Sequence, residues 1–113
     1  MRRVTLMLAA MAMMVSLFAA AAYAASIVGT DEAETLSESS VNDTIAGRGG
    51  DDTINAFEFM GDTDKVNGNM GDDTIDVSDG DNFDTVQGGK GDDVCIGDVG
   101  DELNCDTEVF DTP

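Results

Sequence analysis

An acidic side chain recurs along this chain at nearly constant spacing, within short segments rich in glycine. When the chain is divided into units of nine residues, the sixth position is acidic in eight successive units: Glu34, Asp43, Asp52, Asp64, Asp73, Asp84, Asp93 and Glu102. Stacked carboxylates repel one another unless protons or cations neutralise them. Because hard divalent cations take carboxylate and carbonyl oxygens, the spacing predicts a series of cation sites.

The units that position these acids alternate turn-forming residues with strand-forming ones. They span residues 29–37, 38–46, 47–55, 59–67, 68–76, 79–87, 88–96 and 97–105, with insertions only at 56–58 and 77–78. The eighth position holds, in order, Leu36, Ile45, Ile54, Val66, Ile75, Val86, Cys95 and Asn104. Three residues such as Thr53-Ile54-Asn55 favour a short strand with its middle side chain directed inward.

A repeat of one turn and one strand, without helical periodicity, predicts an all-β fold. Each unit must stack on its neighbours to bury its inward residue. We therefore expect a parallel β-roll, a right-handed two-sheet β-solenoid with no helix, in residues 25–113. Two units would complete one coil, and the unit from about residue 97, which ends the aliphatic pattern at Asn104, would form a C-terminal cap.

Successive units would lie on opposite sheets, so the turns fall into two stacks. We call the stack of turns that begin at Gly29, Gly47, Gly68 and Gly88 the regular edge, since the last three read Gly-x-x-Gly-Asp-Asp. The stack that begins at Glu38, Phe59, Asp79 and Gly97 is the irregular edge, since it has fewer glycines and follows both insertions. Glycine turns let a ligand approach main-chain carbonyls closely, so the regular edge is the better candidate for metal binding.

The first 24 residues are typical of a secretory signal peptide. Met1-Arg2-Arg3 is basic, residues 4–22 are mostly apolar, and Ala22-Tyr23-Ala24 resembles a cleavage site. The apolar stretch is also nearly long enough for a membrane anchor, although the cleavage site favours removal. We therefore expect a secreted, extracellular protein of 89 residues without stable membrane insertion.

The mature chain would be strongly acidic and poor in core-forming residues. All 24 acidic residues lie after residue 24, with only Arg48, Lys65 and Lys90 as basic residues, which gives a formal net charge of −21. Such a composition predicts disorder unless a ligand supplies what the core cannot. The charge also excludes nucleic acid as a partner and favours cations.

Two cysteines, Cys95 and Cys105, lie close together near the end of the repeats. In an exported protein such a pair favours one disulfide, and two free thiols are the alternative. Zinc and copper are poor candidates because the chain has no histidine. Magnesium prefers a tighter octahedron that retains water, so calcium (Ca²⁺) is the expected ion.

The repeats resemble the hemolysin-type calcium-binding repeats of RTX proteins, whose nonapeptide is Gly-Gly-x-Gly-x-Asp-x-U-x. Residues 88–96 match every fixed position except Cys95, whereas Arg48 and Asn69 replace the second glycine of two other units. In that family, calcium lies between turns one coil apart, held by turn carbonyls and the sixth-position aspartate. The resemblance implies a first set of metal ligands at Gly47, Gly50, Asp52, Gly68, Gly71, Asp73, Gly88, Gly89, Gly91 and Asp93. It implies a second set at Asp43, Asp64 and Asp84, whose turns lack the glycines; Glu34 and Glu102 depart from aspartate.

These features favour a calcium-binding module that folds on binding its ion and acts as a structural, surface or matrix component. We do not expect an enzyme, because the sequence contains neither histidine nor a Gly-x-Ser-x-Gly motif, and no aromatic cleft accompanies its carboxylates. One alternative is recognition of ice or a cell surface by threonine rows at Thr44, Thr53, Thr74 and Thr85. Another is an acidic calcium buffer or mineral-nucleating protein.

Overall fold

The computed structural model describes residues 24–39, 41–81 and 83–111. The predicted signal segment, residues 1–24, lies outside this range except for Ala24. Ten short strands follow in order: β1 Ser26–Val28, β2 Thr35–Ser37, β3 Thr44–Ala46, β4 Thr53–Asn55, β5 Lys65–Asn67, β6 Thr74–Asp76, β7 Thr85–Gln87, β8 Val94–Asp98, β9 Glu102–Asn104 and β10 Thr107–Asp111.

Consecutive strands alternate between two five-stranded sheets. Sheet A has the order β1-β3-β5-β7-β9 and sheet B the order β10-β8-β6-β4-β2. Every strand pair is parallel. The described part of the chain contains no helix, which confirms the predicted parallel β-roll. None of its elements is a helix long and apolar enough to cross a membrane.

The core is a double row of side chains between the two sheets. On sheet B, Leu36, Ile54, Ile75 and Cys95 are cross-strand partners in that order. The buried core consists of Ile45, Ile54, Ala56, Val66, Ile75, Val77, Val86 and Cys95. Strands β2 to β8 begin at the seventh position of each unit, as the nine-residue register predicts. In the three-residue strands β2 to β7 the middle residue is therefore the inward one, and in β8 the inward core residue is Cys95.

The last unit differs from the prediction by one residue. Leu103, not Asn104, pairs with Val86 and packs against the core, while Asn104 is exposed. Five residues, 97–101, precede β9 in this unit, whereas six precede the strand in each of the other nine-residue units, and in a strand a shift of one residue exchanges the two faces. Asp101 consequently occupies the place that the register assigned to Glu102, and Asp101 is buried whereas Glu102 is exposed.

The two insertions lie inside the turns of the irregular edge, and not before those turns. Ala56 and Val77, which the register counted as inserted, donate backbone hydrogen bonds to the next coil just as Gly47 and Gly68 do. Both side chains are 0% exposed and belong to the core. The extra residues therefore widen the turns that contain them, and the stacking of strands is preserved.

Turn length separates the two edges. Turns of the regular edge span six residues each, at 29–34, 47–52, 68–73 and 88–93. Turns of the irregular edge vary in length and span residues 38–43, 56–64, 77–84 and 99–101. Only turns of equal length can stack residue on residue, so the regular edge alone repeats its backbone from coil to coil.

A strand that the register did not predict ends the described roll. β10 pairs with β8 on sheet B, and all five of its residues are exposed. The predicted disulfide between Cys95 and Cys105 is present, with the two Cα atoms 6.0 Å apart. It joins a core position of β8 to the residues just before β10, so it attaches the final turn to the roll.

Candidate metal centres at the two edges

The sixth-position aspartates form a hydrogen-bonded ladder along each edge. On the regular edge, the backbone N–H of Asp52 donates to Oδ1 of Asp73 at 2.9 Å, and that of Asp73 donates to Oδ1 of Asp93 at 2.9 Å. On the irregular edge, the Asp43 N–H donates to Asp64 and the Asp64 N–H donates to Asp84, both at 2.7 Å. Each carboxylate therefore reaches back one coil, so the stacking of the roll depends on it.

In five of these aspartates, the second carboxylate oxygen has no hydrogen-bond partner. Asp52, Asp64, Asp73, Asp84 and Asp93 are all at most 1% exposed, and the Oδ2 atom of each is buried and unpartnered. A buried carboxylate oxygen without a donor is costly, because charge transferred from water must be compensated inside the protein. These oxygens are the atoms that a bound cation would satisfy.

On the regular edge, the unpartnered oxygens border gaps that only glycine leaves open. A methyl group added at Gly68 would overlap Oδ2 of Asp73 and lie 2.7 Å from the carbonyl oxygen of Gly88, one coil further on. The same addition at Gly47 would overlap Oδ2 of Asp52 and lie 3.0 Å from the Gly68 carbonyl oxygen. Carboxylate and main-chain oxygens from successive coils thus converge, and this oxygen-only donor set fits calcium. At Gly88, the added group would lie 2.6 Å from Oδ2 of Asp93.

The other glycines of these turns allow the backbones to stack closely. Gly50, Gly71 and Gly91 have φ angles of 83°, 117° and 111°. A methyl group at Gly91 would overlap the carbonyl oxygen of Gly71, and one at Gly71 would overlap that of Gly50. At the second position, Gly89 has a φ of 93°, and Arg48 and Asn69 adopt positive φ values of 77° and 70° in its place. The predicted glycines therefore lie together along one edge, in positions that their conformation explains.

The acids at the fifth position of the regular edge are arranged differently. The backbone N–H of Asp72 donates to Oδ1 of Asp51 at 2.8 Å, and that of Asp92 donates to Oδ1 of Asp72 at 2.9 Å. These carboxylates reach forward one coil, and all three acids are exposed. They connect the same coils as the sixth-position ladder without contributing buried oxygens.

The irregular edge brings together acids that the register did not identify. Among the described residues, three groups of carboxylates have oxygens within 4.8 Å of one another: Glu38 with Asp62 and Asp64, Asp62 with Asp79 and Asp81, and Asp81 with Asp84 and Asp101. Asp64 and Asp84 were predicted ligands, whereas the other five acids were not. Asp43 is not in these groups, and its Oδ2 accepts a hydrogen bond from the Ser39 N–H at 2.7 Å.

A signal for some of these acids was present in the sequence. Glu38 and Asp79 stand where the register places the first residue of a unit, a position that is glycine on the regular edge. Asp62 and Asp81 lie in the widened turns, whose path cannot be deduced from a nine-residue count. Asp101 was displaced by the one-residue shift of the last unit.

Burial raises the pKa of the carboxylates on both edges. It raises the pKa of Asp73 to about 6, with neighbouring carboxylates adding to the effect and a backbone N–H opposing it. Burial also raises the pKa of Asp64 to about 6, of Glu38 and Asp79 to about 7, and of Asp84 to about 8. Burial likewise raises the pKa of Asp52, Asp93 and Asp101. Without a cation, part of these groups would therefore hold protons near neutral pH.

This arrangement can bind hard cations and connect successive coils through them. It offers buried carboxylate and carbonyl oxygens, and the sequence provides no histidine as a softer ligand. A cation between two turns would replace the protons and offset the repulsion between stacked carboxylates. The acidic groups and glycine turns thus suggest calcium binding in the β-roll.

The chain was compared with protein families, curated proteins and solved structures. A family model described as RTX calcium-binding nonapeptide repeat (4 copies) matches residues 39–57, 61–84 and 68–101. Searches of curated proteins and of solved structures found no significant match. The family match covers more than half of the chain and includes the turns that carry the aspartate ladders. The chain therefore belongs to the family of the RTX calcium-binding nonapeptide repeat.

Proposed function

We propose that this chain is a secreted calcium-binding β-roll that folds when it binds Ca²⁺ and acts as a structural component of a cell surface or extracellular matrix. The observation that carries the proposal is the unpartnered second oxygen of five buried ladder aspartates, Asp52, Asp64, Asp73, Asp84 and Asp93. This second oxygen makes no hydrogen bond, so neither the core nor the backbone of the roll requires it. It is suited to a cation held between coils.

The thin core supports the coupling of folding to binding. Strands β1 to β9 each contribute one inward side chain, β10 contributes none, and the buried apolar residues are few. The same interior contains ten buried acidic residues. Calcium would add attraction where the metal-free roll has repulsion, so binding free energy would contribute directly to folding. Extracellular calcium modules typically respond at about 10⁻⁴ to 10⁻³ M.

Secretion and domain organisation are supported by the sequence. The basic start, apolar stretch and Ala22-Tyr23-Ala24 site favour removal of residues 1–24 by signal peptidase. Residues 25–113 would then form one calcium-binding domain with its cap from about residue 97. A non-enzymatic role agrees with the absence of histidine from the sequence and with both cysteines being held in the disulfide.

Two neighbouring aspartates provide a sharp test of the proposed ligands. Asp73→Asn and Asp72→Asn each remove one charge from the same turn, and each carboxylate accepts one backbone hydrogen bond from an adjacent coil. Only Asp73 has a buried, unpartnered oxygen. We expect Asp73→Asn to weaken calcium binding about tenfold or more in calorimetric titrations of the purified chain, because a charged ligand is lost.

Asp72→Asn is the matched control and should change calcium affinity less than about threefold, through long-range charge alone. Equal losses in the two variants would contradict the assignment of Asp73 as a ligand. A wild-type chain that binds no calcium at millimolar concentration would contradict the proposed function itself.

Surface recognition remains a second candidate because of one row on sheet B. Thr35, Thr53 and Thr74 are direct cross-strand partners in an unbroken row, which Val94 then ends. Thr44 and Thr85 lie on sheet A and are separated by Lys65. Thermal hysteresis measured with calcium present tests ice binding. A hysteresis that is lost in Thr53→Lys would favour this function over a purely structural one.

A further inference from the structure

The irregular edge carries buried carboxylates that lie outside the sixth position of any repeat. They are Glu38, Asp62 and Asp79, with the partly buried Asp81 beside them. Glu38 follows β2, and the other three lie in the two widened turns. The nonapeptide pattern and the family match assign no role to these side chains.

Together with Asp64, Asp84 and Asp101, these acids form a continuous file. Each of its three groups contains three carboxylates with oxygens within 4.8 Å of one another. Asp62 belongs to the first and second groups, and Asp81 belongs to the second and third. The shared members place the groups one after another along the stacked coils, so seven carboxylates serve three groups.

Glu38, Asp62 and Asp79 each have one carboxylate oxygen that accepts a hydrogen bond and one that has no partner. One oxygen of Glu38 accepts hydrogen bonds from the N–H groups of Glu58 and Phe59. One oxygen of Asp62 accepts from Asn42 at 3.2 Å, and one oxygen of Asp79 accepts from Asp81 at 3.0 Å. The remaining oxygens, Glu38 Oε2, Asp62 Oδ1 and Asp79 Oδ2, are buried without a partner.

These unpartnered oxygens point to a ligand because their side chains are almost completely buried. Glu38 is 2% exposed, Asp62 is 4% exposed and Asp79 is 6% exposed. Among the described residues, no lysine or arginine pairs with them. Backbone donors fix each carboxylate in place, and a bound cation would compensate the free oxygen, which no basic side chain of the described residues does.

We propose that the irregular edge is a second class of calcium site, in which carboxylates from the widened turns replace the glycine carbonyls of the regular edge. Three divalent ions would bring six positive charges to the seven carboxylates of the file, which nearly balances them. The inference rests on the proposed calcium binding. It adds that the two edges differ in ligand chemistry and therefore in affinity.

The irregular edge binds calcium more tightly than the regular edge. Calcium affinity rises with the number of charged ligands and with the rigidity of the site. Each group of the file offers three carboxylates, whereas the described acids of the regular edge form no such group. Calcium therefore fills the irregular edge first, and the glycine turns bind at higher concentration.

An open cleft gives ions a path to this file. It has a volume of about 620 Å³ and is lined by Ser78, Asp79, Gly80, Asp81, Asp98, Val99 and Asp111. Asp79 and Asp81 line the cleft and also belong to the second group. A cation with part of its hydration shell can therefore reach the buried oxygens from the solvent.

Calorimetric titration of calcium into the metal-free purified chain tests the proposal. The wild type should show two phases, and Asp62→Asn should weaken the tight phase at least tenfold, because Asp62 serves two groups. The control, Asp51→Asn, removes the same charge from an exposed regular-edge acid that belongs to no group, and it should keep both phases.

A tight phase that survives in Asp62→Asn would overturn the proposal. If that variant fails to fold in saturating calcium, Asp79→Asn decides, since the backbone N–H that donates to Asp79, that of Asp81, lies in the same turn. Retention of the tight phase in Asp79→Asn would then overturn the proposal. A wild type with only the weak phase refutes the second class of site but leaves the proposed function intact, whereas a wild type without binding refutes both.

Discussion

The two edges of this roll contain the same aspartate ladder in different surroundings. On the regular edge, equal turns stack glycine on glycine, and main-chain oxygens approach the buried carboxylates. On the irregular edge, the turns vary in length, and additional carboxylates occupy the space beside the ladder. The ladder holds in both cases, with N–H to carboxylate distances of 2.7 to 2.9 Å between Asp43, Asp64 and Asp84 and between Asp52, Asp73 and Asp93.

The two edges show that the residues that connect the coils differ from those that determine which oxygens a bound ion would contact. A sixth-position aspartate is sufficient to connect coils, because its carboxylate accepts the backbone N–H of the preceding coil. The remaining turn residues decide which other oxygens are near. A repeat protein can therefore change its ligand chemistry along one edge while the strands and core stay in register.

The largest effect should come from filling a glycine position on the regular edge. In Gly91→Ala, the new methyl group overlaps the Gly71 carbonyl oxygen, at a residue whose φ is 111°. Overpacking and backbone strain together should cost about 3 to 5 kcal/mol of unfolding free energy. Urea denaturation in saturating calcium measures the loss.

Gly61→Ala is the matched control on the irregular edge. Gly61 also has a positive φ of 80°, but an added methyl group would have no atom within 4 Å. Only the backbone strain should remain, at about 1 kcal/mol. Similar losses in the two variants would show that close stacking does not distinguish the edges.

Breaking the disulfide should have the next largest effect and should act more on the regular edge. The regular ladder ends where the Asp93 N–H donates to Asp106, next to Cys105, whereas the irregular ladder ends at Asp101. Loss of a short cross-link destabilises by about 2 to 3 kcal/mol. In a Cys95→Ala, Cys105→Ala variant, we expect hydrogen exchange to accelerate more at the Asp93 amide than at the Asp84 amide. Greater acceleration at Asp84 would contradict this placement of the cap.

The stability of the metal-free roll should also depend on pH. Burial raises the pKa of Asp84 to about 8 and of Asp73 to about 6, both above the usual value of 3.8. The folded state therefore binds more protons than the unfolded state, so stability without calcium should fall as pH rises from about 4 to about 8. The contribution of Asp73 and Asp84 to stability should be greatest below about pH 4, where both are protonated.

Asp84→Asn resembles the protonated side chain and should flatten this dependence from about pH 4 to about 8. Asp73→Asn should flatten it only from about pH 4 to about 6. Circular dichroism in chelator distinguishes the two residues above pH 6, where only Asp84→Asn should still reduce the slope. Stability that rises with pH in chelator would contradict the sign of the effect.

The sequence was sufficient to predict most of the strands and the glycine turns of the regular edge. The period located strands β2 to β8 because each strand contains one inward aliphatic or cysteine residue. The Gly-x-x-Gly-Asp-Asp turns located the regular edge because their conformation demands glycine. Cys95 and Cys105 were correctly predicted to pair.

The carboxylate groups of the irregular edge could not be predicted, because the widened turns do not follow the nine-residue repeat. Ala56 and Val77 are apolar and were counted as insertions, yet they continue the core. The extra residues that follow bring Asp62 and Asp79 beside carboxylates from other coils, which no count along the chain reveals. In the last unit, one missing turn residue exchanged the faces of Leu103 and Asn104.

The dependence of folding on calcium is tested most directly by far-UV circular dichroism of the purified chain during a calcium titration that starts in chelator at pH 8. The account predicts a largely unfolded chain in chelator and a β-sheet spectrum that develops as calcium binds. A β-sheet spectrum of equal strength in chelator would contradict it.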